Sequence, residues 1–135
     1  MSLDTVLAAH ALAATADAIV TVDPAGTITS WNGAAERLFG HSRGDAVGQT
    51  LALIIPAEYR AWHVAAFHAA MDSGKLANGG AVARVVAVTA SGGSLVLGLS
   101  LGLLRDGPQD GPAGAVAVLR PLTIDVLSFV PQEQR

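Results

Sequence analysis

Between Ser94 and Leu104, leucine occupies every odd position (Leu95, Leu97, Leu99, Leu101 and Leu103), while Val96, Gly98, Ser100 and Gly102 fill the even ones. Side chains alternate across a strand residue by residue, so this stretch reads as a long strand whose leucine face covers a core. A helix would scatter the same leucines around its surface. The opposite face has little bulk, so a further backbone can approach it closely; the N-terminal helix, or that of a second copy, is the natural candidate.

Other strands follow from their own punctuation. Ala81–Ala90 is rich in valine, and Ser91-Gly92-Gly93 turns the chain into the leucine strand. Asp106–Ala113, DGPQDGPA, reads as a loop before a last strand at Gly114–Leu119. Pro121 ends the sheet, and Ile124–Val130 is one more apolar segment in a C-terminal tail. Upstream, Ala18–Val22 and Thr27–Trp31 flank Asp23-Pro24-Ala25-Gly26, the turn chemistry of a hairpin. Asn32-Gly33 closes the second strand, Ala34–Phe39 makes one or two helical turns stopped by Gly40, and Ser42 with Asp45 caps another short helix closed by Gly48.

Leu51–Ile55 leads into the longest internal helix. Pro56 suits its first turn and Gly74 the left-handed position past its end. Tyr59, Trp62, His63, Ala66, Phe67, Ala70 and Met71 recur at three- and four-residue steps, the stripe of an amphipathic helix. His63 sits in that stripe among aromatic rings, where an ionisable group needs a partner. His68, five residues on and about 140° further round, falls outside a site built on His63. Leu3–Ala16 reads as an Ala-rich helix ahead of the main domain, either packed on it or used for dimerisation.

Two strands, short helices, one longer helix and three antiparallel strands give an α+β fold: a five-stranded antiparallel sheet with helices on one face and an N-terminal flanking helix. The expected organisation is a flanking helix over 1–16, one domain over 17–123 and a tail over 124–135. Half of the 135 residues are apolar and few are charged, enough for one sizeable core. With net charge −3 and no basic run, a nucleic-acid partner is not expected. The absence of cysteine excludes disulfides, thiolate metal sites and a Cys nucleophile. No apolar run reaches membrane-spanning length, and a cytoplasmic location is expected.

The stretch AIVTVDPAGTITSWNGAAERLFGHSRGDAVGQ (18–49) resembles the first half of a PAS domain. Asn32 ends the hairpin strand, the Ala34-to-Gly40 run follows, and then comes the Ser42–Asp45–Gly48 segment. Gly80 to Thr123 fits the closing strands. The resemblance implies a sensory or interaction module that dimerises through the N-terminal helix and the sheet face, signalling to an effector the sequence does not identify. Within that family, Ile55-Pro56-x-x-x-Arg60-x-x-His63 is similar to the helix of the oxygen-sensing haem PAS domains. That similarity implies haem b, with His63 on the iron, Arg84 of Arg84-Val85-Val86 as the distal donor, Leu99 and Leu101 pressing on the distal face, and Tyr59 and Phe67 lining the pocket. A non-covalent flavin, a fatty acid or another small apolar ligand is also open, while photosensor chemistry through a reactive Cys is excluded. Where the family commonly has Asp-x-Thr, this chain has Pro121-Leu122-Thr123.

No His-Glu-x-x-His, Gly-x-Ser-x-Gly or phosphate loop is present, so an enzyme is not expected. Two readings remain: a ligand-sensing module with a cavity beside His63, or a dimerisation module without cofactor, tightly packed there with His63 hydrogen-bonded to protein.

Overall fold

The computed structural model describes residues 3–76, 82–105 and 111–122. It contains α1 (Leu3–Ala14), β1 (Ala18–Val22), β2 (Ile28–Trp31), α2 (Gly33–Phe39), α3 (Arg43–Ala46), 3₁₀ turns at Leu51–Ile54 and Ala57–Tyr59, α4 (Arg60–Ser73), β3 (Ala83–Val88), β4 (Ser94–Leu104) and β5 (Gly114–Pro121). The apolar segment expected at Ile124–Val130 lies outside the described residues.

All five strands form one antiparallel sheet in the order β2-β1-β5-β4-β3. The leucine strand lies between β3 and β5, and its alternation fixes the faces. Leu97, fully buried, pairs with Val85, and Leu99 pairs with both Ala83 and Leu119. Ala18, Val20 and Val22 of β1 continue the same face, where Trp31, Phe39, Ala35 and Ile54 complete the core. Trp31 and Phe39 stack at 5.4 Å between ring centroids, and the Trp31 indole N–H donates to His41 O at 3.0 Å, so the buried ring leaves no polar atom unpaired.

Short helices begin where side chains replace missing helical acceptors. Asn32 Oδ1 accepts from Ala35 N–H at the start of α2, and Ser42 Oγ accepts from Asp45 N–H at the start of α3. Asn32 does more than cap. The same Oδ1 accepts from Ile19 N–H and its Nδ2 donates to Asp17 O, tying the start of β1 to the end of β2.

The other sheet face carries Ile19, Val86, Val96, Val116 and Val118, with Gly98 and Ser100 leaving it shallow. Val86 and Val96, directly paired, are each nearly half exposed. On α1, Leu3 is 71% and Leu7 55% exposed, so these two leucines do not cover them. Arg120 and Asp17 form a bidentate ion pair beside the start of β1.

Candidate functional site

A cleft of about 200 Å³ opens beside His63. Three pieces of chain frame it, each fixed by local chemistry. The first is the β1–β2 turn, where Asp23 Oδ1 accepts from Ala25 and Thr27 N–H and Gly26 takes φ +90°. The second is Thr50–Ile55, held to β2 by a Thr27–Thr50 bridge and by Ile28 N–H donating to Gln49 O at 2.8 Å. The third is α4, which ends at Gly74 in the left-handed region (φ +70°), where Gly74 N–H bonds to Ala70 O. Arg105, just past β4, donates from Nη2 to Gly74 O at 3.1 Å and anchors that end.

The stripe on α4 is narrower than its sequence suggests. His63, Ala66, Phe67, Ala70 and Met71 are half-buried, but Tyr59 and Trp62 are 53% and 72% exposed. Tyr59 precedes α4 in a 3₁₀ turn at Ala57–Tyr59, whose tighter winding takes it off the α-helical phase. Trp62, inside α4, lies about 100° round from His63 on the side away from Phe67, beyond the buried edge.

Leu51, Ala52, Ile55, Val64 and Phe67 give the cleft an apolar wall. Arg60, His63 and His68 also line it. The joint presence of His63 and His68 corrects the helical-wheel expectation, because the cleft wraps around the side of α4. Phe67 stands between them, its ring edge-on to His68 at 6.0 Å. Arg60 Nε donates to Ile55 O at 2.9 Å. Among the described residues His63 makes no hydrogen bond and no ion pair, and burial pushes its imidazole pKa below the ordinary value.

The remaining expected site residues are not brought to His63. Leu99 and Leu101 lie on the core face of β4 but do not line the cleft. Arg84 is exposed and pairs with Gly98, on the opposite face of the sheet from Leu97. Strand parity decides this: Arg84 is one residue from Ala83 and Val85, whose partners Leu99 and Leu97 face the core. The residues therefore do not fit haem. Arg84, the expected distal donor, lies on the other face of the sheet, and the cleft of about 200 Å³ is below the ~300–1,000 Å³ typical of ligand pockets. Among the described residues, no group of three or more His, Asp and Glu side chains is placed to hold a metal ion. A more open depression of about 260 Å³, lined by Ala16, Ala34, Arg37, Leu38 and Pro121 among others, lies elsewhere.

The family model for the PAS fold matches residues 8–121. The chain belongs to the PAS family. PAS domains are in general sensory modules rather than enzymes. No curated protein matches the sequence significantly. Solved structures share the fold. The chain is similar to the PAS domain of a protein from Colwellia psychrerythraea (TM-score 0.76, 21% identity, covering 90% of this chain and 99% of that one). It is also similar to the PAS domain of the Cronobacter turicensis RpfR quorum-sensing receptor in complex with C12:0 (TM-score 0.65, 14% identity, 81% and 96% covered). The Rhodobacter sphaeroides LOV protein is a third (TM-score 0.72, 16% identity, 98% and 74% covered). Among the described residues, no helix of this PAS domain is long and apolar enough to cross a membrane.

Proposed function

We propose that this PAS domain is a sensory module that takes a small, largely apolar ligand in the α4 cleft. One observation carries the reading: a half-buried histidine borders an apolar cleft and, among the described residues, has no protein partner. A histidine buried only for packing is expected to be hydrogen-bonded to protein. The occurrence of a C12:0 complex in another PAS domain supports the capacity of this fold to hold such a ligand. The role is one of binding, without catalysis.

Signalling runs through a homodimer in this reading. The exposed Val86–Val96 pair and the exposed leucines of α1 are apolar surfaces in one chain that a second copy can cover. A ligand shifts that assembly only by binding one of its arrangements better than another.

The test is thermal unfolding of the full chain with and without n-octanol. Binding raises the midpoint with ligand concentration. Ala52→Leu, which fills the cleft, removes that rise. Absence of any rise in the wild type, or an equal rise in the variant, contradicts the reading.

A further inference from the structure

The cleft has a charge pattern that its apolar wall does not require. Three of its lining residues, Arg60, His63 and His68, are basic, and none is acidic. The chain as a whole is near balance, with eleven acidic residues against eight Lys and Arg and four His, whereas the lining residues of the cleft include bases and no acid. Asp23, on the neighbouring turn, is turned to the backbone N–H groups of Ala25 and Thr27 and does not line the cleft. The Thr50–Ile55 wall contributes no ionisable group.

Arg60 is also held in place. Its Nε–H is committed to Ile55 O, a residue of the opposite wall, which fixes the plane of the guanidinium. Its two Nη groups make no ion pair among the described residues. A fork of N–H donors so oriented matches the two oxygens of a carboxylate.

We propose that the α4 cleft selects small amphipathic monoanions, an apolar tail ending in one carboxylate, with the head paired to Arg60 and the tail between Leu51, Ala52 and Phe67. This rests on the cleft being the ligand site. A volume of about 200 Å³ accommodates a tail of about seven water-sized groups at ~30 Å³ each, which makes octanoate a suitable probe.

The experiment is calorimetric titration of the full chain at neutral pH with three probes of equal tail: octanoate, n-octanol and octylammonium. The wild type binds octanoate at least about tenfold tighter than octanol, the scale of a hydrogen bond to a charged group, and octylammonium weakest. Arg60→Gln abolishes the preference, so that the variant binds octanoate and octanol alike, while in Arg60→Lys, with charge but no fork, the preference falls between. Equal binding of octanoate and octanol by the wild type, or a preference that survives Arg60→Gln, overturns the selectivity and leaves the cleft reading standing. Failure of all three probes to bind overturns both.

Discussion

Phe67 of α4 packs against Gly26 of the β1–β2 turn: a Cβ at position 26 would lie 3.6 Å from Phe67 Cε2. The hairpin turn and the helix thus meet at the floor of the cleft, which both of these residues line. Space is not what requires glycine here, since 3.6 Å is ordinary contact; the backbone is, at φ +90°. Gly26→Ala is expected to destabilise the domain by about 1–2 kcal/mol, the cost of a left-handed residue with a Cβ. Urea unfolding should show a lower midpoint with an unchanged slope.

Asn32 joins three backbone groups from separate places in the chain: Ile19 N–H, Ala35 N–H and Asp17 O. Asn32→Ala removes a helix cap and leaves strand groups unpaired, for an expected loss of about 2–3 kcal/mol. Asn32→Asp keeps the two accepted bonds and loses the donated one, so its midpoint in the same unfolding experiment should fall between wild type and Asn32→Ala.

His63 predicts a pH dependence with a definite sign. Burial holds its folded-state pKa below the ordinary 6.5, so around pH 6.5 the unfolded chain binds its proton more readily. Stability from this group is therefore full above pH 6.5, falls as the pH drops toward the folded value, and levels off below it. The stability difference between wild type and His63→Gln, followed from pH 8 to 5, should trace that fall. A difference that grows in favour of the wild type on acidification would mean that His63 has a counter-ion.

Dimerisation through the shallow sheet face is open to sedimentation. Val96→Glu places a charge on the exposed Val86–Val96 pair, and Leu7→Glu places one on α1. Either should convert a wild-type dimer to monomer at concentrations where the wild type is associated. A monomeric wild type, or dimers that tolerate both charges, contradicts that arrangement.

Much of the fold was legible because it is written in local chemistry. The alternation of β4, the Asp23–Gly26 turn, the Ser42 cap and the Gly74 stop each depend on a few neighbouring residues, and each stands as read. The site was less legible because it depends on how elements dock. A helical wheel separates His63 from His68, but a cleft that curves around α4 collects both. Tyr59 carries the right spacing for the stripe, yet it sits in the 3₁₀ turn before α4, off the helix's phase, while Trp62 lies at the edge of the stripe, where burial depends on how wide a face docks. The face that Arg84 takes is a matter of parity, since a shift of one residue moves a strand side chain to the other face. That the described residues lining the cleft include no acid could not be read at all, since its walls come from three separate segments.

The most direct measurement is a ¹H–¹⁵N correlation spectrum of the full chain titrated with n-octanol. The account predicts saturable shifts concentrated at Gly26, Thr50–Ile55 and Arg60–His68, with the His63 imidazole resonances moving along the same binding curve. Shifts that do not saturate, or that map to the Val86–Val96 face while the cleft stays silent, would contradict it.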